Sequence, residues 1–186
     1  MRLTKVVAIL ALLTLSLPAY AGPGVHVGGN LGNISLDPSA DTESRLGFIV
    51  GAHYSLGLGI ISLEPGIQYA QRRYGMSFAG ESASVTAGYL EVPVMAKLKM
   101  PGLPFLVAGP NLGMKLGVSC SSSVGTCTIE SDSVKSTNFG AEFGVGMDIA
   151  LLTVEARYYL GLANVSETAG VTAKPTGFQL LLSLGL

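Results

Sequence analysis

Apolar and polar residues alternate with period two over much of this chain. Gly140 to Ala150 sets Ala141, Phe143, Val145, Met147 and Ile149 against Gly140, Glu142, Gly144, Gly146 and Asp148. Leu152 to Leu162 repeats the pattern, with Leu152, Val154, Ala156, Tyr158, Leu160 and Leu162 against Thr153, Glu155, Arg157, Tyr159 and Gly161. Phe178 to Leu186 closes the chain in the same way, with Phe178, Leu180, Leu182, Leu184 and Leu186 on one side. Successive side chains of an extended strand point to opposite faces, so the alternation predicts strands, and no helical face fits these segments as well. Eight strands are predicted, near residues 24–35, 45–56, 60–73, 86–99, 103–117, 138–150, 152–163 and 176–186. Most have the length of a tilted strand that crosses a bilayer.

The connections alternate in length. Gly57-Leu58-Gly59, Met100-Pro101-Gly102 and the join at Ala150-Leu151 are short. Asp37–Glu43, Gly75–Ser84, Val118–Thr137 and Ser166–Lys174 are long and polar. Transmembrane barrels carry short turns on one side and long loops on the other, whereas a soluble sandwich has no reason to alternate strictly. The predicted fold is therefore all-β: an eight-stranded antiparallel up-and-down transmembrane β-barrel.

In lipid every backbone polar group must pair internally, which strands achieve only by closing on themselves. The apolar faces then point outward and the charges inward. Glu64, Glu91, Lys97, Glu142, Asp148, Glu155 and Arg157 all fall on the inward parity and are the candidate lumen charge network. Charges in so small an interior must pair or lie in water. Tyr54, Tyr69, Phe139 and Phe178 fall on the outward parity near strand ends, where aromatic girdles form, and the chain has no Trp to strengthen them.

Arg2 and Lys5 precede the apolar stretch Val6–Leu17, Pro18 breaks it, and Ala19-Tyr20-Ala21 supplies a small-x-small cleavage pattern. Residues 1–21 thus read as a cleaved signal peptide and 22–186 as one outer-membrane barrel domain, with both termini periplasmic. Hydrophobic residues make up 48% of the chain and charged residues 12%, about half the usual charged share, yet past Ala21 no apolar run is long enough for a spanning helix. A net charge of −1 offers no basic field for nucleic acid.

Five segments also resemble one family in their order along the chain: GFIVGAHY at Gly47–Tyr54, LEPGIQYAQRRYG at Leu63–Gly75, YLEVPVMAKLK at Tyr89–Lys99, LVAGPNLGM at Leu106–Met114 and VEARYYLGLANV at Val154–Val165. Together they resemble the small bacterial outer-membrane β-barrels often labelled porin-family proteins. The resemblance implies an outer-membrane location, engagement of the barrel-assembly machinery during biogenesis, and no established substrate, cofactor or catalytic residue. Such barrels usually end in Phe, whereas this chain ends in Leu186.

Few residues suggest chemistry. Cys120 and Cys127 lie ten residues or fewer apart in the longest loop, and in an oxidising compartment they are expected to form a disulfide; two free thiols are the alternative. No metal site is expected there, because such a site needs more ligands and no His is near in sequence. His26 and His53 share the inward parity but lie toward the periplasmic end, where a lipid-cleaving triad would find no substrate, and no G-x-S-x-G elbow occurs. No enzyme activity is expected. Arg72-Arg73 is placed at the outer end of the third strand, either within reach of lipopolysaccharide phosphates or as a solvated loop base. The expected role is structural or surface-interacting, by a monomer in contact with outer-membrane lipids, its lumen filled by charged side chains. A narrow passive porin for small solutes or ions is the alternative.

Overall fold

The computed structural model describes residues 19–37, 42–78, 81–100, 102–122, 135–166, 170 and 172–185. Among them, eight strands run in sequence order: β1 (Ala19–Asp37), β2 (Thr42–Leu58), β3 (Ile61–Phe78), β4 (Glu81–Leu98), β5 (Phe105–Ser122), β6 (Thr137–Ile149), β7 (Leu152–Gly161) and β8 (Thr172–Gly185). Each pairs antiparallel with its neighbour in the chain, and β8 pairs with β1 from Gly24↔Gly185 to Asp37↔Thr172. The sheet is thereby a closed barrel without a free edge along this seam. At the turn end, Gly59 and Gly102 take positive φ of 68° and 71°, conformations that cost glycine little. Ala150 holds a φ of 56° in the third turn.

Side-chain alternation sorts the two faces. The outer wall exposes large apolar residues on every strand, among them Val27, Phe48, Ile67, Val92, Leu112, Val145, Leu160 and Leu182. The same holds at the turns, where Leu58, Ile60, Met100, Leu103 and Leu151 are exposed. In water an apolar surface of this extent would be a liability. In hydrocarbon it is the required solvent-facing surface.

The strands run further at the loop end than period-two patterning indicates. Gly75–Ser84 reads as a long loop, yet β3 and β4 remain paired out to Phe78↔Glu81. Asp37–Glu43 likewise contracts, since β1 continues to Asp37 and β2 starts at Thr42. These extensions are rich in Ser, Thr and Gly, so they lack apolar alternation although their backbones keep the ladder. Two register shifts accompany them, between Arg45 and Ile49 on β2 and between Gly88 and Tyr89 on β4.

Residues 1–18, which hold most of the expected signal peptide, lie outside the described residues. Ala19–Ala21 pair only with β2, at Leu58, Gly57 and Leu56, whereas the seam to β8 starts at Gly24. Cleavage after Ala21 would thus leave the seam whole.

Candidate functional site

The lumen holds the chemistry of this chain. Inward positions carry Glu64, Gln68 and Arg72 on β3, Glu91 and Lys97 on β4, Asn111 on β5, Glu142 on β6, Glu155 and Arg157 on β7 and Gln179 on β8, all buried. Strict alternation puts these polar groups inside by the same rule that puts aliphatic groups outside. Ionised groups withdrawn from water must find partners, and here they do so in one connected series.

At the loop end of the series, Arg72 donates from Nε and Nη2 to Glu91 Oε1, at 3.0 and 2.6 Å. Its guanidinium lies 3.7 Å from the ring centroid of Tyr159, a cation–π contact. Glu91 Oε2 accepts from Gln68 at 2.8 Å and from Asn111 at 2.9 Å. Asn111 also donates to Glu142 Oε1 at 2.6 Å, and Arg157 reaches Glu142 Oε2 at 3.1 Å. Arg157 then grips Glu155 Oε2 from Nε at 2.7 Å and Nη2 at 2.6 Å. Lys97 takes Glu155 Oε1 at 2.6 Å and Glu64 Oε2 at 2.5 Å, and Ser55 donates to Glu64 Oε1 at 3.0 Å. The series ends near the turns, beside a recess of about 260 Å³ lined by His53, Ser55, Glu64, Lys97, Lys99 and Asp148 among others.

His26 and His53 form a side branch. His26 Nε2 bonds Gln68 Oε1 at 3.0 Å, and the two Nδ1 atoms are 3.3 Å apart. Because the Gln68 oxygen only accepts, a neutral His26 carries its proton on Nε2 and offers Nδ1 to His53. Gly51 makes this branch possible, since a Cβ there would come within 2.7 Å of His26 Nε2 and 2.5 Å of Gln68 Cβ. Gly140 does the same for Tyr159, whose ring would lie 2.6 Å from an added Cβ.

Apolar clusters fill the remaining lumen. Ile34, Tyr74, Val165 and Ala173 pack across the loop end, Ile49, Ala70 and Leu181 in the middle, and Met95, Phe105 and Val107 nearer the turns.

Of the residues picked out from sequence, Glu64, Glu91, Lys97, Glu142, Glu155 and Arg157 come together in this series. Asp148 does not. It stands at the turn-end rim, half exposed, with Lys99 at 3.1 Å and Thr153 at 2.6 Å. Arg72 is a correction of a different kind. It is 1% exposed and belongs to the lumen, neither a loop base nor open to lipid phosphates. Its parity with Glu64, eight residues earlier on the same strand, carried that information. Tyr54, Phe139 and Phe178 are exposed on the outer wall, with Phe139 toward the loop end of β6. Phe143 and Tyr158 meet tilted at 5.5 Å, Tyr158 and Phe178 edge to face at 4.9 Å, and Phe48 meets Tyr69 at 5.5 Å, all on the outer wall. Tyr54 stands toward the turns. Cys120 lies on β5 opposite Val85, while Cys127 is outside the described residues.

A family model described as "Outer membrane protein beta-barrel domain" matches residues 16–167. Among solved structures, Neisserial surface protein A (NspA) aligns with a TM-score of 0.59 at 13% identity, covering 90% of this chain and 99% of its own. Ail, the attachment invasion locus protein of Yersinia pestis, aligns with a TM-score of 0.49 at 13% identity, covering 88% of this chain and 99% of its own. At such identity the likeness to NspA is one of fold. No curated protein sequence matches the chain.

Proposed function

Because this chain belongs to the outer membrane protein β-barrel domain family, we propose that it serves the outer membrane as a closed barrel, structural or surface-interacting, and not as a pore or an enzyme. On this reading residues 1–21 are removed on export, both termini face the periplasm and the loop end faces outward. The segment between β5 and β6, pinned by a Cys120–Cys127 disulfide, is then the largest element offered to a partner.

One observation carries the reading: the unbroken run of charge-assisted bonds from Arg72 to Ser55 across the lumen. Eight strands enclose an interior just wide enough for side chains to fill. With cations and carboxylates locked in mutual contact, an ion would have to break several buried pairs to pass.

Conductance in a planar bilayer tests this reading, using the mature chain refolded and checked by its heat-dependent gel mobility. A folded barrel should be silent. Discrete openings that change when Arg72 or Arg157 is replaced would overturn the closed-lumen reading in favour of a narrow porin.

A further inference from the structure

On the outer wall above the apolar band, the cross-strand register lines up three rungs of small polar residues. Tyr69, Leu90 and Met114 form the last apolar rung. Above it come Gln71, Gly88 and Gly117, then Arg73, Thr86 and Ser119, then Gly75, Ser84 and Ser121. Buried Tyr74, Val85, Ala87 and Tyr89 alternate with them on the inner face, so these rungs look outward, with Gly75 covered by the side chains of Arg45 and Glu43. Three strands at sheet spacing and three rungs two residues apart make a platform about 10 Å wide and about 13 Å high. Gly117 leaves open space, while the Tyr69 ring lies over Gly88; a groove of about 370 Å³ is lined by Tyr69, Gln71, Thr86, Gly88, Gly117 and Ser119, together with Leu116 and Val118. The register shift beside Gly88 deepens it, pushing Leu116 out of the ladder and exposing it.

We propose that this groove binds the phosphorylated sugar headgroup of a lipopolysaccharide-type lipid in the surrounding leaflet. Three features select that occupant. The groove continues the lipid-facing wall directly, so a lipid anchored below by its acyl chains brings its headgroup to this height. Its lining offers hydroxyls, an amide and the flat ring of Tyr69, the groups that hold a sugar by hydrogen bonds and stacking. Arg73 stands on the middle rung, exposed, with Nε 3.3 Å from Thr86 Oγ1. Among the described residues no carboxylate pairs with it, leaving its guanidinium for a phosphate. A bare phosphate would leave the hydroxyl rungs unused, and an apolar partner would leave them unpaired.

The proposal rests on the outer-membrane placement but not on a closed lumen. The test refolds the mature chain in detergent with purified rough lipopolysaccharide, or with phosphatidylglycerol, and reads bound lipid per barrel by native mass spectrometry. Arg73→Gln should lower lipopolysaccharide occupancy about tenfold, the loss of one charge-assisted contact, and leave phosphatidylglycerol unchanged. Gly117→Leu should do the same by filling the groove. An added Cβ there meets nothing within 4 Å, so folding should survive. If Gly117→Leu does not refold, Arg73→Gln still decides. Unchanged occupancy in Arg73→Gln overturns the proposal. So does an equal fall for phosphatidylglycerol, which would mark a generic anionic contact, or full competition by the free deacylated glycan, which would mark a soluble ligand. A barrel that conducts ions yet binds lipopolysaccharide refutes only the closed lumen, and a silent barrel that ignores lipopolysaccharide refutes only this site.

Discussion

The two halves of the lumen handle buried charge differently. In the loop half, one cation meets one carboxylate: Arg72 and Glu91 are each 1% exposed, Tyr159 covers the guanidinium, and an apolar layer around Tyr74 lies beyond. In the turn half, Arg157 and Lys97 face three carboxylates, Glu142, Glu155 and Glu64, beside a recess that opens toward the turns. An excess carboxylate is tolerable where water reaches and costly where it does not. Glu142 and Glu155, each 0% exposed, are as sealed as the loop pair, and the third carboxylate, Glu64, is the one that lines the recess. Dielectric surroundings, more than the count of ion pairs, decide how closely charges must match.

Replacing the residue where the halves meet should break this arrangement most severely. Arg157→Ala leaves Glu142 and Glu155 without their guanidinium and should cost about 3–5 kcal/mol, seen as a lower urea midpoint in lipid vesicles. Arg72→Ala should cost less, about 3 kcal/mol, because Gln68 and Asn111 still donate to Glu91. A loss for Arg72→Ala as small as for a surface change would show that water enters the loop half too. Lys97→Met sharpens the contrast. The recess lets water take over part of the lysine's role, so we expect about 1–3 kcal/mol, and a Ser55→Cys barrel should react with a thiol reagent added on the turn side. The smallest effect belongs to the rim, where Lys99→Ala removes a half-exposed pair with Asp148 worth about 0.2–1 kcal/mol and more at low salt than high.

How much of this was legible in sequence follows from which forces write a pattern. Alternation is written by the lipid, so the parity of β6, β7 and β8, the barrel class and the inward side of Glu142, Glu155 and Arg157 could all be read directly. Where strands rise above the lipid, nothing demands alternation. The run from Gly75 to Ser84 looks like a loop although Met76 to Phe78 pair with Ala83 to Glu81. That misplaced strand end drew Arg72 out of the lumen, since a double arginine at a strand's edge looks solvated. The partners within the lumen depend on stagger between strands. Lys97 meets Glu155 across 58 positions, and no local pattern encodes that distance. The groove beside Gly88 hangs on a register shift, which is likewise invisible in one strand's residues.

The seam between β1 and β8 sets the order of events in making this protein. Its first strand bonds to its last, so neither edge is satisfied until the whole chain has been delivered. Until then both strands are open templates for any passing edge, and pairing at such sequence separation is slow. Ion pairs such as Lys97–Glu155 span strands that are not neighbours in the sheet, so they too mature late. Assembly is therefore a closing act, and both edges stay exposed for as long as the chain remains unfinished.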